Sequence, residues 1–402
     1  MTNWQTKKLS ELGTFSKGAG IPKDSVLPEG LPAVRYGELY TAFDTFIKNV
    51  RSYIDESTAR ESKEIRRGDI LFAGSGETID EIGKSAVYQH SDFGYAGGDI
   101  VTLSPDTSSS SLFLAYALNS PIARKDLRRL GQGQSVVHVY RKDLEEMSLS
   151  LPEKPEQQRI VAVLEVWDEY LELLDRKIVL KEQLKKGLMQ QLLTGKKRLP
   201  GFTDEWRSVA VGEFLKERKE YASKDGKYEH ISLTTKGVVP KTARYERDFL
   251  VMAEDKQYRI TKVDDICYNP ANLKFGVIAR NKYKTAIFSP IYVTYEVEGQ
   301  DVSFIEHLVT SYIFIGKALR YEEGTVYERM AVHPNDLAVM KISLPSIEEQ
   351  CAISKIIDTH ELEHRTLVSL QSVIRNQKKY LLKNLISGTI RTPENLHIKG
   401  VN

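Results

Sequence analysis

Two long stretches of the chain repeat apolar residues at the spacing of one helix face. In the first, the recurring positions are Ile160, Leu164, Trp167, Leu171, Leu174 and Ile178. In the second, the same spacing aligns Ile353, Ile357, His360, His364, Leu367 and Ile374. Spacings of three and four predict amphipathic helices. Gly195 stands where a C-terminal cap is expected, and Gly388 does so in the second stretch. Each helix would have roughly 40 residues and a length of about 60 Å.

The segments outside these helices alternate between strand and helix patterns. In the first, residues 68–72 and 98–103 read as buried strands, and a helix follows the cap residues at Ser109. In the second, residues 263–268 and 291–297 read as strands, and a helix is predicted over 303–321. Both segments therefore indicate mixed α/β modules.

An internal repeat relates the two halves of the chain. The second copy lies 193 positions after the first, so that Val139 corresponds to Val332. The same offset aligns Leu151-Pro152 with Leu344-Pro345 and Glu156-Gln157 with Glu349-Gln350. It still aligns the two helix ends, GLMQQLLTGKKRLP and YLLKNLISGTIRTP. The module interiors, roughly 15–135 and 217–330, look unrelated. The chain therefore reads as two different modules, each followed by a similar helix.

The repeat and the apolar stripes together predict the architecture. Long helices with a stripe need a partner, and the nearest partner for each is the other helix. We expect an α+β protein in which a pair of long antiparallel coiled-coil helices separates two α/β modules related by a pseudo-twofold axis. Two separate surface helices remain the alternative. The predicted boundaries are 1–152 and 199–345 for the modules, 153–198 and 346–391 for the helices, and 392–402 for a tail.

Composition and charge narrow the class of protein. Lys and Arg total 57 against 55 Asp and Glu, a net charge of +2, which argues against a strongly basic nucleic-acid coat protein and an acidic disordered chain. Residues 1–150 carry 18 basic and 20 acidic side chains, and residues 200–344 carry 21 of each. No apolar run approaches the ~18 residues of a membrane span, and the N-terminus lacks the apolar stretch of a secretory signal. We expect a cytoplasmic protein with no membrane contact. Cys267 and Cys351 are read as ordinary thiols.

Three motifs resemble catalytic signatures without their context. His360-Glu361-Leu362-Glu363-His364 matches the H-E-x-x-H pattern of zinc peptidases, but its histidines lie in the apolar stripe. Asn269-Pro270-Ala271-Asn272 resembles the catalytic loop of adenine methyltransferases, but the second proline and the aromatic residue are missing. The GxG turns at Gly74 and Gly131 have no P-loop context. We therefore predict no catalytic residue and no metal ligand.

The remaining candidates are polar and aromatic loop residues that could contact the edges of DNA bases. In the first module they are Ser75, Glu77, Gln132, Gln134, His138, Tyr140 and Arg141. In the second module they are Thr234, Thr235, Lys236, Asn269, Asn272, Lys274, Tyr327 and Arg329. Because both modules are nearly neutral, DNA phosphates would have to be neutralised by local basic patches or by a partner.

The duplicated arrangement resembles the specificity subunits of type I restriction–modification systems. The matching pieces are SLSLPEKPEQQRIVAVL with LLTGKKRLPGF, and KISLPSIEEQCAISKII with LISGTIR. The segments GDILFAGSGETIDEIGKSAVY and VDDICYNPANLKFGVIAR resemble target-recognition-domain strands. The resemblance implies a non-catalytic subunit whose two target-recognition domains read a bipartite, asymmetric double-stranded DNA site. It implies two modification (methyltransferase) subunits, which carry S-adenosylmethionine and methylate adenine. It also implies restriction subunits, which use ATP and Mg, and no cofactor bound by this chain.

Two other functions fit the same pattern less fully. The chain could serve an orphan methyltransferase-nuclease or one of another type, which the neighbouring genes would reveal. It could also be a coiled-coil scaffold without a DNA role, which a salt-dependent DNA-binding assay would test.

Overall fold

A computed structural model describes residues 4–133, 136–223, 227–241, 257–323 and 330–396. The chain divides into two compact units. Unit 1 contains residues 1–175 and 369–402, and unit 2 contains residues 176–368. Unit 1 therefore combines the first module with the end of the second long helix, and unit 2 combines the second module with the end of the first.

Unit 1 contains two main sheets. Its strands are β1 Gln5–Lys8, β2 Gly13–Lys17, β3 Leu31–Val34, β4 Phe46–Ile47, β5 Ser52–Ile54, β6 Lys63–Ile65, β7 Ile70–Ala73, β8 Ser75–Gly76, β9 Ser85–Tyr88, β10 Gly94–Ala96, β11 Ile100–Pro105, β12 Val137–His138 and β13 Ser148–Leu151. The larger sheet has the order β2-β11-β7-β9-β4, and the smaller has the order β5-β3-β10-β6. The pairs β1-β13 and β8-β12 stand apart.

The helices of unit 1 pack on these sheets. They are α1 Glu38–Thr41, α2 Glu56–Arg60, α3 Ser111–Leu118, α4 Pro121–Leu130, α5 Arg141–Glu146 and the first long helix α6 Lys154–Leu192, which unit 1 contains up to Asp175. Strand β7 is buried along its whole length, as expected for the centre of a sheet covered on both faces. Helix α3 is apolar on nearly every face and lies in the core.

Unit 2 has the same kind of architecture with a different interior. Its strands are β14 Arg207–Ala210, β15 Leu215–Glu217, β16 Tyr221–Ala222, β17 Ile231–Thr234, β18 Gly237–Pro240, β19 Tyr258–Thr261, β20 Ile266–Tyr268, β21 Ile278–Arg280, β22 Ala286–Phe288, β23 Val293–Val297 and β24 Lys341–Leu344. The sheets have the orders β15-β23-β20-β21 and β16-β19-β22, with the pairs β17-β18 and β14-β24 beside them.

The helices of unit 2 include a correction to the sequence-based prediction. They are α7 Val211–Phe214, α8 Val302–Val309, α9 Tyr312–Ala318, α10 Pro334–Val339 and the second long helix α11 Ile347–Ile386, which unit 2 contains up to Val368. The single helix predicted over 303–321 is wrong, because the chain breaks between α8 and α9. Ser311 causes the break: its hydroxyl bonds the carbonyl of Leu308 and also caps the N–H of Phe314.

The two long helices run antiparallel within each unit, as predicted. In unit 1, Asp168 pairs with Lys378 and Glu156 pairs with Arg391. Glu156, which precedes Asp168, therefore meets Arg391, which follows Lys378, as antiparallel packing requires. Burial raises the pKa of Tyr116, with nearby Asp168 adding to the effect. The hydroxyl therefore stays protonated and donates to Asp168 over 2.6 Å.

The repeat reproduces these two ion pairs in unit 2. Glu361 pairs with Lys185 at 2.8 Å, and Glu349 pairs with Arg198 at 2.8 Å. Each partner lies 193 positions from its counterpart in unit 1, but the roles of the two copies are exchanged. The acidic residue of one copy meets the basic residue of the other in both units.

The start of each long helix is tied to the module before it by a buried glutamine. In unit 1, Gln157 donates to the carbonyl of Pro152 and accepts from the N–H of Ser110, both at 2.9 Å. In unit 2, Gln350 donates to Pro345 and accepts from the N–H of Asp301. Ser110 and Asp301 are the N-cap residues of α3 and α8. The repeated Leu-Pro and Glu-Gln pairs therefore form a joint between module and helix.

The predicted stripe residues are all buried or half-buried, but the first of them have a second role. Ile160 and Leu164 belong to the core of the first module, which also includes Leu385 and Ile386 near the end of the second helix. Ile353 and Ile357 likewise belong to the core of the second module. The beginning and end of the helices thus complete the module cores.

Among the residues described, no single helix is long and apolar enough to cross a membrane, although the bent pair Val302–Val309 and Tyr312–Tyr321 passes that test by length and composition.

Candidate nucleic-acid interface

His138 is held in place by residues from two different loops of unit 1. Strand β12, which carries it, pairs with β8, so that His138 lies opposite Ser75. The Ser75 hydroxyl and His138 Nδ1 are 2.9 Å apart. The backbone of His138 also exchanges two 2.8 Å hydrogen bonds with Gln132. Within the described residues, these bonds leave Nε2 of the imidazole without a hydrogen bond. The ring is fixed, and its outer nitrogen can bind a donor or an acceptor.

A cavity of about 480 Å³ opens beside His138. Its lining combines cationic, anionic and aromatic side chains: Lys17, Asp99, His138, Tyr140, Arg141, Lys142 and Glu145. Tyr140 is 48% exposed, and its ring stacks on that of His138 with centroids 6.3 Å apart. Aromatic surface with nearby cations suits the faces and phosphates of nucleotides.

The other candidates in unit 1 have different surroundings. Ser75 is only 3% exposed and its hydroxyl bonds His138, so it supports that ring, and its own contact with a base stays a prediction. Gln132 donates its side-chain amide to Asp143 at 3.1 Å. Glu77 is exposed at the start of the loop after β8, and Arg141 is exposed but paired with Glu145. Gln134 lies outside the described residues.

In unit 2, the first group of candidates forms the tip of a hairpin. The turn between β17 and β18 places Thr235 and Lys236 at the surface. Thr234 shapes the turn: its hydroxyl donates to the carbonyl of Gly237 at 3.0 Å and accepts from the N–H of Lys236. Such a tip is accessible to a groove of DNA.

The second group surrounds a short 3₁₀ helix, Pro270–Phe275. Asn269 is 6% exposed and caps this helix by accepting the N–H of Ala271, and its contact with a base stays a prediction. Asn272 and Lys274 lie on the helix, and Lys274 is 3.8 Å from Glu322. Tyr327 and Arg329 lie outside the described residues.

The GxG turn at Gly74 and the Asn-Pro-Ala-Asn segment occupy matching places. The N–H of Val139 bonds the carbonyl of Gly74, and the N–H of its repeat partner Val332 bonds the carbonyl of Pro270. Each loop directly follows the strand β7 or β20 of the larger sheet. The sequence could not reveal this match, because the two loops share no residues in register. Each segment borders the candidate recognition residues of its unit.

Basic side chains lie beside the loop between β8 and β9 in unit 1. Helix α4 carries Arg124, Arg128 and two further cations, Lys125 and Arg129. Arg128 pairs with Asp80 of the loop at 2.9 Å, and Arg124 donates to the carbonyl of Asp80 at 2.7 Å. Burial lowers the pKa of Arg124 to about 10, so it remains charged at neutral pH. This helix is a local patch of positive charge on a module that is neutral as a whole.

One group in unit 2 has the residue types of a metal site. His307, Asp358 and Glu361 bring three ligand atoms within 4.8 Å of one another. However, His307 Nε2 bonds Asp358 at 2.7 Å, Ser303 bonds the other oxygen of Asp358, and Lys185 bonds Glu361. These protein partners already satisfy the ligand atoms. We interpret the group as an ion-pair network that fastens α8 to the long helices.

Comparison with known proteins agrees with this geometry. Residues 1–183 match the family described as the type I restriction modification DNA specificity domain. The chain is 22% identical, over 97% of its length and 94% of the relative, to the putative type I restriction enzyme MjaX specificity subunit of Methanocaldococcus jannaschii. Its fold resembles the S subunit of the type I restriction–modification system of M. genitalium, with a TM-score of 0.57, 17% identity and 96% of each chain covered. It also resembles the HsdS subunit of Thermoanaerobacter tengcongensis, with a TM-score of 0.51, 16% identity and coverage of 96% and 97%.

Proposed function

Because this chain belongs to the specificity subunits of type I restriction–modification systems, we propose that each of its modules reads one half of a bipartite, asymmetric double-stranded DNA site. The proposal rests on the equivalent positions of two loops, the one after β7 in unit 1 and the one after β20 in unit 2. In each unit the loop after β7 or β20 accepts a backbone hydrogen bond from a residue just before the short helix α5 or α10, yet the side chains around it differ. Equivalent surfaces with different chemistry are what two different half-sites require.

Exchange of the modules tests this proposal. Residues 1–150 would be replaced by the corresponding module of a related subunit, and the methylated DNA sequence of the host would be determined. We expect one half of the methylated site to change while the other half is kept. Exchange of residues 199–345 is the matched experiment for the other half. A variant that is active but keeps both halves unchanged would contradict the proposal.

The chain's role in the complex is binding, and we assign the chemistry to its partners. We propose that two modification subunits, with S-adenosylmethionine, methylate adenine, and that restriction subunits use ATP and Mg. The long helices offer docking surfaces. In unit 1, a groove of about 520 Å³ is lined by Trp167, Val373, Asn376, Gln377, Tyr380 and Leu381. Tyr380 is 63% exposed there, and Val373 is 52% exposed. Exposed apolar surface of this kind favours a protein partner.

A charge placed in the groove tests the docking surface. Tyr380→Glu should weaken the association of the co-expressed modification subunit, measured as the stoichiometry of the purified complex by light scattering. Lys379→Glu is the control, because Lys379 is its exposed neighbour on the same helix. Equal loss of the partner from both variants would indicate a general charge effect and would contradict docking in the groove.

A further inference from the structure

One exposed large apolar side chain projects from the loop after the central strand in each unit. In unit 1, the loop between β8 and β9 carries Ile79, which is 51% exposed. In unit 2, the loop between β20 and β21 carries Phe275, which is 65% exposed. Exposed apolar residues are common singly. Their occurrence on matching loops, in modules whose interiors differ in sequence, suggests a shared role.

The loop around Ile79 is closed by internal hydrogen bonds and flanked by cations. The Glu81 carboxylate accepts the backbone N–H groups of Glu77 and Thr78 at 3.1 Å, which closes the loop on itself. Arg124 and Arg128 fasten the next residue, Asp80, to helix α4. Ile79 is therefore presented on a hydrogen-bonded turn with two guanidinium groups beside its neighbour Asp80.

The loop around Phe275 has the same properties. Phe275 ends the 3₁₀ helix, and Gly276 follows with a φ of 75°, a left-handed conformation that glycine adopts without strain. The Lys274 ammonium lies 5.6 Å from the centre of the Phe275 ring. A docking patch for another protein would need contiguous apolar surface, whereas here a single apolar side chain stands beside a cation.

We propose that Phe275 and Ile79 are wedge residues that insert between neighbouring base pairs, one in each half of the DNA site. An apolar side chain that enters a base step unstacks it and kinks the duplex, while adjacent cations hold the phosphates. Phe275 provides the larger wedge because its flat ring can stack on a base. This inference rests on the proposed function, because it assigns a role within the same DNA interface.

The test uses the complex of the full chain with its modification subunit and 2-aminopurine placed at each step of a specific duplex. We expect wild-type binding to raise the fluorescence at one step in each half-site. Phe275→Ala should remove the signal in one half only and weaken specific binding about tenfold, the loss expected for much of one buried aromatic side chain. Phe275→Trp should restore both. Ile79→Ala should remove the signal in the other half. Val339→Ala is the control, because Val339 is 63% exposed in unit 2 but lies outside the loop.

The outcomes separate the two proposals. Specific binding without a fluorescence rise, or with a rise that Phe275→Ala leaves unchanged, would refute the wedge and leave DNA recognition standing. Loss of the modification subunit from the Phe275→Ala complex, but not from Val339→Ala, would also refute it by showing a protein contact. Absence of any specific DNA binding by the wild-type complex would refute the proposed function and the wedge with it.

Discussion

Replacing the buried Gln157 by methionine should loosen the joint between the first module and its long helix. Methionine has nearly the same length and volume, so a cavity contributes little. The change removes the hydrogen bonds to Pro152 and Ser110 and leaves a buried carbonyl and an N–H without partners. Each unpaired group costs about 1–3 kcal/mol, so unit 1 should lose about 2–6 kcal/mol. That is a large part of the ~5–15 kcal/mol that stabilises a folded domain.

Hydrogen exchange measured by mass spectrometry on the full chain can localise this loss. The peptide covering α3 should exchange faster in Gln157→Met, because Ser110 caps that helix, while the peptide covering α8 should not change. Gln158→Met is the control, since Gln158 is exposed next to Gln157. Gln350→Met should give the reverse pattern and a larger effect, because Gln350 also bonds Gln300. If Gln157→Met exchanged like Gln158→Met, the two hydrogen bonds of Gln157 would contribute little to the stability of unit 1.

Three further variants test other parts of the structure. Replacing His360 and His364 by leucine should leave modification activity largely unchanged and shift stability by only ~1 kcal/mol in either direction, since both are half-buried helix residues; activity lost together with stoichiometric zinc would contradict this. Burial alone would raise the pKa of Asp358, but hydrogen bonds from Ser303 and His307 outweigh it and lower the pKa. Its stabilising contribution is therefore present above the ordinary carboxyl pKa of ~4 and is lost as the pH falls through the lowered folded-state value. In Asp358→Asn, the free energy of unfolding of unit 2, measured with urea, should fall less on acidification than in the wild type. Identical acid sensitivity of the two proteins would count against the network. Tyr140→Ala should reduce affinity for specific DNA about tenfold through lost stacking, measured by fluorescence anisotropy, whereas the equally exposed Phe93→Ala should not.

The sequence predicted the long helices and their antiparallel packing because these features depend on periodicity and on the repeat. It did not predict the break at Ser311, since the apolar pattern of α8 continues into α9 and only a local hydroxyl interrupts the backbone. It also treated Ser75 and Asn269 as surface residues. Their polar side chains are typical of loops, but only tertiary structure shows that one is bonded to His138 and the other caps a helix. Local pattern therefore identified the loops, and long-range contacts decided which side chains in them are accessible.

Because the ion pairs join one copy of the repeat to the other, each unit contains residues from two distant parts of the chain. A boundary drawn from the sequence assigns residues 1–152 to one module, yet the core of unit 1 also needs Leu385 and Ile386, and Glu156 needs Arg391. The core of unit 2 likewise contains Leu192 and Leu193, the repeat partners of that first pair. A fragment ending at residue 175 would therefore expose apolar surface and leave a buried carboxylate without its guanidinium. Such a fragment should be aggregation-prone because of this exposed apolar surface, even though its recognition loops are complete. Adding residues 369–396 in trans should restore a monodisperse unit 1 on size-exclusion chromatography. If the fragment alone were already monodisperse and stable, the helix ends would not be part of the unit's core.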